Sequence, residues 1–131
     1  MYSGVQVQRR PQQPAFIMAH SGESVSYAEL ERRSNRLAHC LRAAGLRRLD
    51  HYAIFMENNA RYVEACGAGD RAGLYFTCVN SYLNAEELAY ILDNSEARIL
   101  ITSMAKREIA LASLAAISSL SCASNCLESP G

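Results

Sequence analysis

Three short, almost continuously apolar runs are the feature that most restricts the fold of this chain. They are residues 51–56, 74–79 and 98–102, and each has the length of a strand. Strands that are apolar on both faces are typical of a parallel sheet covered by helices on both sides. Because the segments between these runs have helical character, the sequence predicts an α/β fold with a mainly parallel sheet.

The helices between these runs have clear start signals. Ser26 and Glu29 form a capping box, in which each side chain bonds a backbone amide at the helix start. Leucines and alanines then recur at helical spacing until Gly45, which is predicted to end this first helix. The residues predicted to cap the three helices are Ser26, Asn58 or Asn59, and Asn84.

Two short β-prone runs precede the first helix. Residues 15–20 and 23–26 are separated by Ser21-Gly22, which fits the turn of a hairpin. Residues 1–14 are polar and are predicted to be a flexible arm. Residues 15–102 are therefore predicted to form a hairpin, helix, strand, helix, strand, helix and strand, in that order.

The composition changes from about Ile109 onward. Residues 108–131 are an atypical tail rich in Ala, Ser and Leu, with no clear period and no predicted strand. The serines and the asparagine in its uncharged stretch make a membrane span unfavourable. A fourth helix that covers part of the sheet is the alternative to an irregular tail.

Charge and cysteine content argue against two broad classes of protein. Lys+Arg and Asp+Glu number 13 each, so the formal net charge is zero. That balance argues against nucleic acid as the main partner, because phosphate binding needs a surplus of basic residues. The cysteines number 5, an odd count, and no secretory signal is visible. We therefore expect free thiols in a cytoplasmic protein.

Two partial motifs are better explained by structure than by chemistry. Gly67-Ala-Gly-Asp-Arg-Ala72 has the letters of a dinucleotide fingerprint, but it ends a predicted helix instead of beginning one after a strand. Cys122 and Cys126 are a single pair, whereas a structural zinc site needs four ligands. The histidines are scattered, at His20, His39 and His51. No catalytic, cofactor-binding or metal-binding residue is assigned.

Five blocks of sequence together carry a more specific signal. They are SYAELERRSNRLAHCLRAAGL at 26–46, AIFMENN at 53–59, RAGLYFTCVN at 71–80, NAEELAYILDNS at 84–95 and ARILITS at 97–103. In order and spacing, the blocks resemble the first part of AMP-forming acyl-CoA synthetases, the adenylate-forming ligases. The resemblance covers about residues 14–107, and YFTCVN is most similar to the fatty-acid–CoA ligase branch.

The resemblance implies a reaction and its reactants. Members of this family activate a fatty acid with ATP and Mg²⁺ to an acyl-adenylate, and then transfer the acyl group to coenzyme A. It also implies that residues 15–107 are a partial N-terminal subdomain, an incomplete part of a larger ligase domain. None of the family's known ATP-binding or catalytic residues maps onto this chain. We therefore expect no cofactor in the chain itself and a truncated ligase that is inactive alone.

The departures from the family pattern raise separate questions. Leu46-Arg-Arg-Leu-Asp50 stands where the family usually has Pro-Gly before the Asp, and Gly67-Ala-Gly-Asp70 interrupts a usually apolar helix. The tail no longer resembles the family, which would fit a change of reading frame. An open sheet face and open strand edges lead us to expect poor stability and self-association. The alternative function is a small α/β interaction module without catalysis.

Overall fold

Helices and strands alternate along the chain in the computed structural model, which describes residues 3–117 and 121–122. The helices are α1 (Ser3–Arg9), α2 (Tyr27–Ala43), α3 (Ala60–Ala72), α4 (Ala85–Asn94) and α5 (Arg107–Ala115), with a 3₁₀ turn at Met104–Lys106. The strands are β1 (Pro14–Ile17), β2 (Ser24–Ser26), β3 (His51–Phe55), β4 (Tyr75–Cys78), β5 (Ile99–Thr102) and β6 (Ser121–Cys122).

The main sheet has four parallel strands in the order β4-β3-β5-β6. Strands β1 and β2 form a separate antiparallel pair. The predicted order of elements over residues 15–102 is therefore confirmed, as is the α/β class with a parallel main sheet. Ser26, Asn59 and Asn84 cap α2, α3 and α4 through side-chain oxygens that accept backbone N–H bonds.

Two terminal segments differ from the predictions. Residues 1–14, predicted as a flexible arm, contain α1 and the first residue of β1. The carbonyls of Pro11 and Gln13 each accept a 3.0 Å hydrogen bond, from Ala28 and Tyr27. These hydrogen bonds satisfy two backbone N–H groups in the first turn of α2 that have no partner within the helix. They connect the N-terminal segment to α2.

The tail was predicted to contain no strand, but β6 pairs with β5 in parallel register. That prediction was wrong because it relied on an apolar pattern. A segment can join the edge of a sheet through backbone hydrogen bonds alone, whatever its side chains are. Helix α5 begins just before the tail and runs into it, so the fourth-helix alternative is confirmed. Its Ala110 packs against the same face of the sheet as α4.

The two faces of the sheet carry separate parts of the core. On β3, Tyr52 and Ile54 face α2 and α3, whereas Ala53 and Phe55 face α4 and α5. All four side chains are fully buried. This alternation explains the continuous apolar run in the sequence, because both faces of the strand are covered.

The glycines of α3 permit unusually close contacts with its neighbours. A Cβ at Gly67 would lie 2.6 Å from Ser34 Oγ, and one at Gly69 would lie 2.5 Å from the Tyr52 hydroxyl. That hydroxyl donates a 2.5 Å hydrogen bond to the carbonyl of Ala65 in the same helix. The glycines therefore serve packing, which answers the question raised by their place in a usually apolar helix.

The turn before β3 uses a side chain where the family pattern has Pro-Gly. Asp50 Oδ2 accepts hydrogen bonds from the Arg47 backbone N–H at 2.8 Å and from Arg98 Nη1 at 2.9 Å. The hydrogen bond from Arg47 and the charge of Arg98 lower the pKa of Asp50. Leu49 takes a left-handed conformation with φ of 73°. The Asp50 carboxylate thus organises this turn.

Charged residues connect α2 with α3. Arg71 of α3 pairs with Glu31 of α2, with 3.0 Å between Arg71 Nε and Glu31 Oε1. Glu64 is only 3 % exposed and lies 3.4 Å from Arg61 and 3.9 Å from Arg33. Burial outweighs these neighbouring charges and raises the pKa of Glu64.

Replacement of Gly69 separates helix propensity from packing. Alanine favours a helix by about 1 kcal/mol over glycine, but here its Cβ would meet Tyr52 and Phe76. We expect Gly69→Ala to lower the free energy of unfolding by about 1–3 kcal/mol. Urea denaturation followed by circular dichroism measures this change. Asp70→Ala, at the adjacent exposed position, is the control and should change stability by less than about 0.5 kcal/mol; a stabilised Gly69→Ala would contradict the packing argument.

Glu29 and Glu64 predict opposite pH dependences. Hydrogen bonds from Arg32 and Arg33 lower the pKa of Glu29 from 4.5 to about 2, so its stabilising contribution is present above pH 4.5 and is lost as the pH falls towards 2. Because the pKa of Glu64 is raised, the contribution of Glu64 to the free energy of unfolding decreases as the pH rises above 4.5. Denaturation across pH 2–7 should show less acid sensitivity in Glu29→Gln, and Glu64→Gln should gain stability relative to the unmodified chain as the pH rises. Parallel pH curves for all three proteins would contradict this assignment.

Candidate functional site

The carboxyl edge of the parallel sheet is the candidate functional site. After β3 the chain passes through α3 to β4 on one side, and β5 then pairs with β3 on its other side. In open parallel sheets, ligands bind outside the carboxyl ends of the strands where the strand order reverses in this way. Polar residues follow both strands at this position, with Glu57 after β3 and Ser103 after β5.

The Glu57 carboxylate is fixed between the two strand ends. Ser103 Oγ donates a 2.5 Å hydrogen bond to Glu57 Oε2, and Asn59 Nδ2 donates one of 3.3 Å to Glu57 Oε1. Asn59 Oδ1 also accepts from the Arg61 backbone N–H at 2.9 Å, which links the carboxylate to the start of α3. The two strands and the helix therefore hold one half-buried carboxylate in a defined position.

The charge state of Glu57 follows from these contacts. Partial burial by itself would raise the pKa of Glu57. The hydrogen bonds from Ser103 and Asn59 and the positive charge of Lys106 outweigh burial, so its net pKa is below the usual range. Glu57 is thus ionised at neutral pH and acts as a hydrogen-bond acceptor.

An aromatic ring and a cation extend this edge. Lys106 Nζ lies 5.5 Å from the centroid of the Tyr82 ring, a cation–π distance. Tyr82 is 90 % exposed and follows β4 in a turn where Asn80 Oδ1 accepts from its backbone N–H at 3.0 Å. Thr102, the last residue of β5, has a buried hydroxyl without a hydrogen-bond partner among the described residues.

Chemically, this arrangement is suited to binding and orientation. A fixed carboxylate accepts hydrogen bonds, an exposed ring offers a flat face to a planar group, and Lys106 supplies positive charge. The Ser103 hydroxyl does meet the Glu57 carboxylate, but the lowered pKa of Glu57 makes this carboxylate a weak base for activating a nucleophile. None of these residues was assigned from the sequence. The signal that could have found Glu57 and Ser103 is that each is a polar residue directly after one of the apolar runs, 51–56 and 98–102.

The residues examined in the sequence for chemistry are distributed over other parts of the fold. Gly67 and Gly69 lie inside α3, so they do not form a phosphate-binding turn. His51 stacks on Tyr75 with 5.1 Å between ring centroids, and His20 and His39 are exposed on separate elements. Cys126 lies outside the described residues.

The described residues contain neither a metal-binding cluster nor a membrane-spanning helix. In residues 3–117 and 121–122, no group of three or more His, Cys, Asp or Glu side chains is placed to hold a metal ion. No helix in the same part of the chain combines the length and the apolar character needed to cross a membrane.

Comparison with known proteins gives consistent matches. The family model described as AMP-binding enzyme matches residues 4–128. Feruloyl-CoA synthase from an Amycolatopsis species is 41 % identical over 87 residues, which are 66 % of this chain and 18 % of that protein. The fatty acid–[acyl-carrier-protein] ligase ScoC of Streptomyces coeruleorubidus is 36 % identical over 93 residues, covering 71 % of this chain and 18 % of the relative.

The fold comparison agrees with the sequence comparison. The O-succinylbenzoate coenzyme A synthetase of Bacillus subtilis, solved in complex with AMP, superposes with a TM-score of 0.80 at 25 % identity. The match covers 100 % of this chain and 33 % of that structure. This chain thus spans only about a fifth of the length of the curated relatives reported above. On the family match and these similarities, the chain belongs to the AMP-binding enzyme family.

Proposed function

We propose that this chain supplies one structural part of a ligase that activates a carboxylic acid with ATP and transfers it to coenzyme A. Family membership supports the reaction type, and the names of the relatives support an acid as substrate. The observation that carries the proposal is the ionised Glu57, held at the strand-order reversal of a parallel sheet. A fatty acid is the proposed substrate class, on the resemblance of residues 75–80.

The resemblance to the ligase family also suggests how the chain is divided into segments. We assign residues 15–107 to the ligase-derived subdomain, flanked by the segments 1–14 and 108–131. Apart from Pro14 of β1, the hairpin falls inside residues 15–107, as do helices α2, α3 and α4 and strands β3, β4 and β5. We also propose a cytoplasmic location, which the free thiols of Cys40, Cys66 and Cys78 support.

The described residues do not fit the phosphates of ATP or a Mg²⁺ ion by themselves. The edge offers a carboxylate whose two oxygens already accept hydrogen bonds from Ser103 and Asn59. Magnesium in nucleotide sites is usually bound by carboxylates together with substrate phosphates. We therefore propose that other parts of such a ligase bind ATP, Mg²⁺ and coenzyme A. The role proposed for this chain is to position groups on a rigid sheet.

The 131-residue chain alone should not catalyse adenylation. Its sequence has no Thr/Ser/Gly-rich phosphate loop with a lysine, and loss of even one preorganised charge-stabilising group costs about 10²–10³ in rate. ATP–pyrophosphate exchange with a panel of fatty acids and aromatic acids measures this activity. Exchange clearly above a blank without protein would contradict the prediction.

A chimera tests the function itself. Residues 14–107 would replace the matching segment of the Amycolatopsis feruloyl-CoA synthase, and thioester formation would be measured. We expect an active chimera, in which Glu57→Gln lowers kcat/KM by about 10–100-fold through loss of a charge-assisted hydrogen bond. Glu86→Gln, on an exposed turn of α4, is the matched control and should have little effect. A folded but inactive chimera would count against the proposal.

A second function, an interaction module without catalysis, is favoured by the outer edge of β4. Among the described strands β4 pairs only with β3, and its Tyr75 is 55 % exposed. An unpaired strand edge with an exposed aromatic side chain favours pairing with another chain. This edge is the physical basis of the expected self-association.

Charge placed on the β4 edge should reduce self-association. We expect the unmodified chain to show a mass that rises with concentration in size-exclusion chromatography with light scattering. Tyr75→Lys should shift it towards the monomer, because a lysine on an edge strand disfavours pairing. Tyr90→Lys, at an exposed tyrosine of α4, is the control and should leave the mass unchanged. A monodisperse monomer with a sharp thermal transition would instead show that the chain is self-sufficient.

A further inference from the structure

Two cysteines lie on facing elements of the fold. Cys78, the last residue of β4, is in register with Ile54 of β3, which belongs to the core between the sheet and helices α2 and α3. Residues in register on neighbouring strands share a face of the sheet, so Cys78 is on the α3 side. Cys66 of α3 packs against the same core, as does Tyr62 one turn before it.

The two cysteines occupy matching positions in this layer. A Cβ at Gly69 of α3 would lie 2.8 Å from the Phe76 ring of β4, so the helix and the strand are close at that point. Cys66 lies one turn before Gly69, and Cys78 lies two residues after Phe76 on the same face of the strand, so the antiparallel course of helix and strand brings the two side chains together. Both cysteines are free thiols, and they differ in access to solvent, with Cys78 exposed and Cys66 half-buried. Burial, together with Cys78 and Asp70, raises the pKa of Cys66 to about 12, and the more exposed Cys78 is the thiol that peroxide meets first.

We propose that Cys66 and Cys78 are a modification site, an oxidisable pair that closes to an intramolecular disulfide in the presence of hydrogen peroxide. Cys78 Sγ first attacks a peroxide oxygen, which gives a sulfenic acid and one water molecule. Cys66 Sγ then displaces the sulfenic hydroxyl, loses its proton to it, and forms the S–S bond with release of a second water. Two thiols lose two electrons in total, and the peroxide is reduced to water.

The bond would change how β4 is held. It would join an edge strand to the helix that precedes it, across the turn at Gly73, whose φ is 68°. A disulfide over a loop of this length restricts the unfolded chain and so stabilises the folded one. We therefore expect the oxidised chain to have a Tm higher by about 5 °C, and dithiothreitol to reverse the shift.

Peptide mapping of the full chain tests the proposal. After peroxide treatment, alkylation and trypsin digestion without reductant, we expect a species that links residues 62–71 to residues 72–98, lighter by two hydrogen atoms than the sum of the two peptides. Dithiothreitol should separate them. Cys40→Ser should retain the linked species, whereas Cys66→Ser and Cys78→Ser should each abolish it and the Tm shift.

The same treatment in concentrated urea separates folded proximity from random pairing. Mapping of the unmodified chain needs no substitution, so it remains decisive if a variant does not fold. We expect the link between Cys66 and Cys78 to form at least about five-fold more in buffer than in urea, as a preformed contact requires. Equal yields, or a Cys78 oxidised to sulfinic acid while Cys66 is recovered alkylated, would overturn the proposal.

Discussion

The burial of β3 on both faces is the constraint on which the rest of the structure depends. This strand pairs with β4 on one edge and β5 on the other, and its residues from Tyr52 to Phe55 are completely buried. Because successive side chains point to opposite faces, α2 and α3 must cover one face while α4 and α5 cover the other. Charged residues are therefore confined to the ends of the strand, at Asp50 and Glu57.

Close packing of α3 accompanies several buried polar groups. Tyr52 brings a hydroxyl into the interior and satisfies it with the carbonyl of Ala65. Ser34 and Glu64 each bury an oxygen that has no hydrogen-bond partner among the described residues. Such a group costs about 1–3 kcal/mol. The layer between α2 and α3 is thus the part of the fold whose stability depends most on single atoms and on pH.

The two ends of the sheet differ in what they contribute. At the amino end, Asp50 shapes a turn through Arg47 and Arg98 and has a structural role. At the carboxyl end, Glu57 is fixed by Ser103 and Asn59 beside the exposed Tyr82. The same arrangement of helices and strands occurs in a longer protein. In the Bacillus subtilis synthetase solved with AMP, a match to 33 % of that chain covers 100 % of this one. In the proposed ligase, this part of the fold would position groups while the chemistry takes place elsewhere in the protein.

The sequence by itself determined the α/β class, the order of elements over residues 15–102, the caps of α2 and α4 and the family, whereas it left the cap of α3 open between Asn58 and Asn59. These features depend on local signals, namely apolar runs, capping residues and blocks in fixed order. Only the tertiary structure decided that Pro11 and Gln13, just after α1, bond to α2, that β6 joins β5, and that Glu57 meets Ser103, 46 residues further along the chain. It also decided that Gly67 and Gly69 serve packing and that Cys66 and Cys78 belong to the same layer of the fold. These contacts join segments distant in sequence, and local patterns carry no information about which distant partner a side chain will meet.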